Sequence, residues 1–391
     1  MTERGNADRI LHVTRNLPPL VGGMERLNWH IADELSRHAQ VHVVGPQGAA
    51  ALKPNGVEVD EVPLRPLWRF LLASAWRALR LARRQWPGLV LAGSGLTAPA
   101  AWLAARVVGA RAAAYVHGLD VALRHPVYRA LWHPALRCMD IVIANSRPTA
   151  ELVRALGVVE EKIRIVHPGV TLPVSPQSPE ALRDFRERHS LGDARLLLSV
   201  GRLASRKGLL QFVRDALPEV VQRAPDSVFA VIGDAPTDAL HAGEQTRESI
   251  QMVADAAGIG GHLRFLGRVS AEDLACAYEC AAVHVFPVRE IPGDPEGFGM
   301  VAIEAAAHGL PTVAFATGGT VDAVADGRSG RLVASGDYPG FAVAVSQTIA
   351  QRDALRDICI DFARDFAWPT FGDGVRTALR QVWESGVRNG Q

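Results

Sequence analysis

Cysteine is scarce in this chain: four residues in 391, scattered at Cys138, Cys276, Cys280 and Cys359. Cys276 and Cys280 are spaced to share a helix face. No second pair and no neighbouring histidine completes a zinc set, so the spacing reads as buried free thiols in a reducing compartment. Apolar runs of about 18 residues are missing, and no segment is expected to span a membrane. The start, MTERGNADR, is polar and carries acids, unlike a secretory leader. Internal repeats and low-complexity tracts are missing too. So are the Walker A spacing, the Gly-x-Gly-x-x-Gly fingerprint, a serine nucleophile elbow, His-Glu-x-x-His and Asp-x-Asp. The last absence gives no indication of a metal bridging a diphosphate. Net charge is only +1, yet the halves differ: residues 1–180 carry 21 Lys/Arg against 14 Asp/Glu, and residues 181–391 carry 21 against 27. A basic front half points to an anionic partner or surface.

The chain is 48% hydrophobic and 21% charged, a globular profile, and its length favours two domains. Strand-like runs (Ile10–Thr14, Val41–Val44, Leu89–Ala92, Ala112–His117, Ile141–Ala144) alternate with helix-like stretches, the pattern of a doubly wound α/β domain. Thr171 to Pro179 holds three prolines in nine residues and reads as a linker. A second α/β series follows, through Leu196–Val200, Val228–Ile232, Leu263–Leu266, Val283–Phe286 and Thr312–Ala316. The expected domains are 1–175, completed by about 368–391, and 190–367. Two such domains are expected to place a ligand cleft between them, at the strands' C-terminal ends.

The densest chemistry lies in Pro295-Glu296-Gly297-Phe298-Gly299-Met300-Val301-Ala302-Ile303-Glu304. From Gly299 the run reads as a largely buried helix, closed by Gly309 and Pro311. Its glycines put backbone N–H groups at the positive end of the helix dipole, with Glu296 before them and Glu304 inside the apolar helix. A carboxylate buried there needs a partner. A ligand with a phosphate and several hydroxyls would satisfy all three features. Gly201-Arg202-Leu203-Ala204-Ser205-Arg206-Lys207-Gly208 follows the second domain's first strand and offers cations at a helix start, which fits a phosphate cradle. In the first domain, Gly22-Gly23 precedes Glu25 between the first strand and first helix. A tight turn with a first-turn acid and close approach to a phosphate are both open there. His117-Gly118-Leu119-Asp120 closes a strand on the cleft side, and Gly318-Gly319 opens another helix.

Taken together these residues resemble the family-4 retaining glycosyltransferases of the GT-B fold, in which two Rossmann-like domains face each other across a cleft. The likeness covers nearly the whole chain: Gly22-Gly23-x-Glu25, Asn145-Ser146, Ile165-Val166-His167-Pro168-Gly169-Val170, Gly201-Arg202-(x4)-Lys207-Gly208, Gly233-Asp234, Phe265-Leu266-Gly267, Glu296-(x7)-Glu304 and Gly318-Gly319 stand in the family's order. The resemblance implies an acceptor-side first domain and a donor-binding second domain. It implies that Arg202 and Lys207 hold the donor diphosphate and that Glu304 takes the ribose hydroxyls. Glu296, with Gly297, Phe298, Gly299 and Met300, would hold the donor sugar. His117 would face that sugar, Gly22 and Gly23 would close over the phosphate, and Gly267-Arg268 would lie beside the base. Glu25 and Asp120 are candidates for the acceptor side. Asp322 stands where the family often has Glu, and its role is open. The implied reaction moves a hexose, with retention and no metal or other cofactor, from GDP-mannose, a GDP-deoxyhexose or a UDP-hexose. The implied acceptor is a saccharide or lipid-linked hydroxyl, in bacterial polysaccharide or glycolipid synthesis. A nucleotide-sugar epimerase or hydrolase on the same fold, or a non-catalytic nucleotide-sugar-binding module, stays open as an alternative.

One stretch points to a partner. At 100° per residue over Pro66–Trp86, Arg69, Arg77, Arg80, Arg83 and Arg84 share a face, with Trp76 among them and Trp68 and Trp86 at the margin. Leu67, Phe70, Leu71, Ala75, Ala78, Leu81 and Ala82 lie opposite. A helix packed on the sheet accounts for the apolar side alone. Arginines mixed with tryptophan suit anionic headgroups. The expectation is a cytoplasmic protein resting peripherally on the inner face of the cytoplasmic membrane, with no nucleic-acid partner.

Overall fold

A computed structural model describes residues 6–234 and 245–388. Met1–Gly5, where the polar start of the chain was read, and 389–391 lie outside the described residues. The chain divides into two units: one ends at Gly169 and resumes at Trp368, the other runs Val170–Ala367.

The first unit is built on seven parallel strands: β1 (Asn6–Val13), β2 (Gln40–Pro46), β3 (Glu58–Val62), β4 (Pro87–Ala92), β5 (Arg111–Val116), β6 (Ile141–Ala144) and β7 (Ile163–Ile165). Their order is β3-β2-β1-β4-β5-β6-β7. Central β4 and β5 read Leu-Val-Leu-Ala and Ala-Ala-Ala-Tyr-Val and are buried on both faces, as strands covered by helices on each side must be. The helix Trp368–Arg388 belongs to this unit and packs on the Gly23–Ser36 helix. Its entry is fixed by Trp368, whose ring stacks on His30 at 3.6 Å between centroids. The opposite neighbour is Gly169, where an added Cβ would sit 2.2 Å from the Trp368 ring.

The second unit has six parallel strands: β8 (Arg195–Val200), β9 (Ser227–Ile232), β10 (Leu263–Gly267), β11 (Ala281–Phe286), β12 (Thr312–Phe315) and β13 (Gly330–Val333), ordered β10-β9-β8-β11-β12-β13. The proline-rich stretch lies inside this unit. Pro179 occupies the first turn of a helix, Pro179–Arg188, capped by Ser178, whose side chain accepts from Ala181 N. Phe185 of that helix is fully buried with Cys276, Ala277 and Tyr278, which is why this segment belongs to the unit. In both sheets the strand order reverses once, between β1 and β4 and between β8 and β11. At such a switch point the neighbouring loops leave in opposite directions and open a crevice at the strands' C-terminal ends. No helix among the described residues is long and apolar enough to cross a membrane.

Candidate functional site

In the second unit the loops after β8, β11 and β12 are held together by glycines that admit backbone where a side chain would stand. Gly208 (φ +69°) has Pro287 O 2.0 Å from the position of an added Cβ, and Arg289 N donates to Arg206 O across the same gap. Gly319 N donates to Glu296 O at 2.8 Å, and a Cβ on Gly319 would meet Gly297 O at 2.1 Å. The Gly318-Gly319 pair therefore locks the Glu296 loop against the loop after β12. Asp322, buried in the short helix that follows, belongs to the same corner.

The charges meet on this platform. Glu296 is buried, and its Oε2 accepts from Lys207 Nζ at 2.7 Å and from Arg206 Nε at 3.1 Å. Arg206 also reaches Asp294 at 3.5 Å. Lys207 Nζ lies 4.7 Å from the centre of the Phe286 ring, a cation–π contact. Burial alone would push the Glu296 carboxyl up, but Lys207 and Arg206 outweigh it and hold the group down at about 2. Burial lowers Lys207 despite Glu296, because its ammonium also faces the guanidinium groups of Arg206 and Arg202. His284, buried behind Lys207 and bonded to Thr312 Oγ1, is pushed down to about 3 by burial and by Lys207, and so stays neutral.

Arg202 shares the loop with Lys207, but its side chain is exposed, and among the described residues it makes no ion pair with Glu296. The cation that joins Lys207 on Glu296 is instead Arg206, a residue the sequence reading left without a role. The string itself does not favour it over Arg202; the structure does, because Ser205–Lys207 form a single 3-10 turn that carries Arg206 and Lys207 to the loop's tip together. Gly299 (φ +98°) caps the helix Met300–Ala307, and a Cβ there would meet the Phe286 ring at 2.8 Å. Phe298 is buried, packed against Phe366, and Met300 is half-buried. Glu304 sits in the second turn of that helix, half-buried, and its Oε2 accepts from Tyr278 OH at 3.1 Å. Gly267 ends β10, two strands from β8 and so roughly 10 Å across the sheet. Its neighbour Arg268 is exposed and lies 3.9 Å from Asp234.

In the first unit, Gly22 and Gly23 start the Gly23–Ser36 helix after β1. Glu25 folds back over them: Oε1 accepts from Asn16 Nδ2 at 2.8 Å, and Oε2 lies 2.4 Å from where a Gly22 Cβ would stand. The glycine here makes room for the helix's own first-turn acid. His117 directly follows β5, is buried, and donates from Nε2 to Gly93 O at 2.9 Å, which fixes its tautomer. Asp120 braces the same corner, accepting from His117 N at 2.9 Å and from Gly95 N at 2.7 Å.

Comparison with known proteins bears on the family and the fold. Residues 21–172 match the model of Glycosyltransferase Family 4, and residues 194–351 that of Glycosyl transferases group 1. Over 355 residues the chain is 30% identical to a GDP-mannose-dependent alpha-(1-6)-phosphatidylinositol monomannoside mannosyltransferase of Mycolicibacterium smegmatis, covering 87% of this chain and 89% of the relative. It is 36% identical over 238 residues to D-inositol 3-phosphate glycosyltransferase 2 of Catenulispora acidiphila, spanning 59% of this chain and 53% of that one. Among solved structures, Anabaena Alr3699/HepE in complex with UDP-glucose superposes with a TM-score of 0.78 at 20% identity, over 95% of this chain and 99% of the other. The lipopolysaccharide glycosyltransferase WaaG superposes at 0.67 and 17% identity, over 94% and 98%. With two parallel-sheet Rossmann-like units, the chain belongs to the family-4 glycosyltransferases of the GT-B fold, and it is a glycosyltransferase that uses a nucleotide sugar.

Proposed function

We propose that this enzyme moves a hexose from a nucleoside-diphosphate sugar to a hydroxyl of a saccharide or lipid-linked acceptor, with retention of configuration and without a metal. Glu296, with its two cations, carries the reading. Free, the pocket neutralises a buried carboxylate with Lys207 and Arg206. A donor diphosphate offers those cations a stronger anion, and Glu296 then turns its lone pairs to the sugar hydroxyls beside Gly297 to Met300. Arg202, exposed on the same loop, adds a further phosphate contact, while Glu304 takes the ribose and Gly267-Arg268 the base. The protein's work is orientation and stabilisation of the developing diphosphate charge.

A GDP-mannose donor and a lipid acceptor are supported by the name of the mycolicibacterial relative, with a GDP-deoxyhexose or a UDP-hexose as the alternative donor. The arginine and tryptophan face of Leu67–Gln85 is read as the part that meets an anionic membrane, on the inner face of the cytoplasmic membrane. A thermal-shift panel of GDP, UDP, ADP and dTDP tests the donor. The cognate nucleotide at 100 times its Kd should stabilise by about 2.7 kcal/mol. Retention is read from the product's anomeric NMR signal. Turnover should persist in EDTA; loss of activity that Mg²⁺ restores would refute metal independence.

A further inference from the structure

A hollow of about 770 Å³ opens in the second unit, at the end of the sheet away from the Glu296 platform. Three strands start on it: Arg195 opens β8, Asp226 stands just before β9, and Ala281 opens β11. The platform's loops leave the other ends of β8 and β11, six residues on, so the two places lie roughly 20 Å apart along the strands. The volume falls in the range of pockets that take small molecules, about 300–1,000 Å³.

The helices Leu217–Arg223, Ala271–Cys280 and Tyr338–Ala350 end at this hollow, and helix carbonyl ends draw cations. Arg186 and Arg352 meet that demand. Arg186 donates from Nη1 to Gly192 O at 2.9 Å and Ala194 O at 3.0 Å, and from Nη2 to Cys280 O at 3.3 Å. Arg352 donates from Nη2 to Glu279 O at 3.1 Å and from Nε to Ala281 O at 3.4 Å. Both guanidinium groups are thus held rigidly at one short stretch of chain, 279–281. A guanidinium has five N–H donors. Asp353 takes one more from Arg352 at 3.4 Å, and each arginine keeps two with no oxygen partner among the described residues. Capping the helix ends accounts for the bonds that are made, not for the donors left over. Nor does it account for Arg356, half-buried in the wall with its stem against Gly309 and without an ion pair among the described residues.

The carboxylates lining the hollow do not answer these cations. Glu279 is engaged elsewhere, accepting from Gln177 N at 2.9 Å and pairing with His308 at 3.4 Å. Asp226 pairs with Arg195 at 3.3 Å. The Asp353 side chain is 98% exposed, so water screens its pair with Arg352. Asp193 is left against Arg186, Arg352 and Arg356, a surplus of about two positive charges.

We propose that this hollow binds a small organic phosphate, at a site separate from the Glu296 platform. A phosphate monoester carries about two negative charges near pH 7, and its terminal oxygens accept from several N–H groups at once. Arginine's planar fork suits that geometry. A single carboxylate would meet only half the surplus, and free phosphate would fill only a small part of the volume. Ser346 Oγ, in the wall, donates to Ala342 O and can still accept from a hydroxyl of the organic part.

The test is isothermal titration calorimetry with glucose 6-phosphate, ribose 5-phosphate, inorganic phosphate, citrate and glucose. No nucleotide is present, so the outcome is independent of the donor panel. Each titration is repeated with Lys207→Ala, which separates this site from anion binding at the Arg202–Lys207 loop. At least one sugar phosphate should bind once per chain, equally in Lys207→Ala, and glucose should not bind. Arg356→Gln should weaken that binding about 10- to 150-fold, the worth of a charge-assisted hydrogen bond. Ser346→Glu, which sets a carboxylate in the wall, should abolish it. Neither change touches the carbonyl bonds of Arg186 and Arg352, and circular dichroism melts check that both variants fold. No binding of either sugar phosphate, or binding lost in Lys207→Ala but kept in Arg356→Gln, would overturn the site. Inorganic phosphate binding as tightly as the sugar phosphates would overturn the organic occupant, and citrate binding more tightly would overturn the phosphate.

Discussion

Replacing Glu296 by glutamine removes one charge and almost no volume, and it leaves Lys207 buried beside its own neighbour Arg206 without the carboxylate both share. Taking one partner from a buried pair costs about 3–5 kcal/mol. Two contacts remain: Arg206 keeps Asp294 at 3.5 Å, and Lys207 keeps the Phe286 ring at 4.7 Å. The lower end, about 3 kcal/mol, is therefore expected. An independent route gives the same size: a carboxylate drawn from 4.5 down to about 2 carries roughly 3 kcal/mol of pH-linked stability, at about 1.4 kcal/mol per pH unit. The sign follows from a depressed folded-state pKa. The contribution is complete above the unfolded value near 4.5 and is lost as pH falls through about 2. At pH 7 the variant should melt about 6–12 °C below the wild type. In urea titrations at pH 7, 5, 4 and 3, the gap should hold from 7 to 5 and close below. A gap under about 2 °C at pH 7, or one that widens on acidification, would refute the ion-pair account.

Three further outcomes are expected. Lys207→Ala, Arg206→Ala and Arg202→Ala should each cut donor kcat/KM by about 10- to 150-fold, the worth of a charge-assisted hydrogen bond; wild-type turnover in all three would remove the diphosphate from this loop. Glu304→Ala should chiefly raise donor KM and Glu296→Ala chiefly lower kcat. Tyr278→Phe should repeat the KM effect in smaller measure and add nothing in the Glu304→Ala background, and a fully additive double mutant would show that Tyr278 does not act through Glu304. Gly319→Ala should destabilise by about 1–3 kcal/mol, because its Cβ lands 2.1 Å from Gly297 O. A melting curve matching the wild type would mean that the loops after β11 and β12 are not locked together.

Much of the fold could be read from buried runs. β4, β8, β9, β11 and β12 declare themselves as short Val/Leu/Ala/Phe segments between turn residues, because a strand covered on both faces has no polar alternation to hide it. What escaped lies at the sheet edges. β3 reads Glu-Val-Asp-Glu-Val, β7 has three residues and β13 four, so hydrophobicity alone does not single them out. Pro179 misled in another way: proline breaks a helix interior but suits a first turn, and Ser178 before it is the cap that distinguishes the two cases.

The candidate site was legible where a residue's need is local and illegible where its partner is not. Glu304 announces a need, since a carboxylate inside Met300–Ala307 must find a donor, but nothing nearby in sequence names Tyr278, which arrives from the helix Ala271–Cys280. Arg202 and Arg206 look interchangeable in the string, both cations on one loop. The choice between them is made by backbone. Gly208 lets Pro287 O approach, Arg289 N then bonds Arg206 O, and the turn carrying Arg206 and Lys207 is held against the Glu296 loop, while Arg202 stays at the exposed start of the loop. Glu25 and Asp120 show the converse. Each is an acid beside a glycine near a strand end, as a ligand-binding group would be, yet their oxygens already serve Asn16 and two main-chain N–H groups. A carboxylate that organises its own loop and one that waits for a ligand have the same local sequence. What differs is the kind of donor already in place, main-chain N–H groups at Asp120 and an amide at Glu25 but two cations at Glu296, and those donors come from loops distant in the chain.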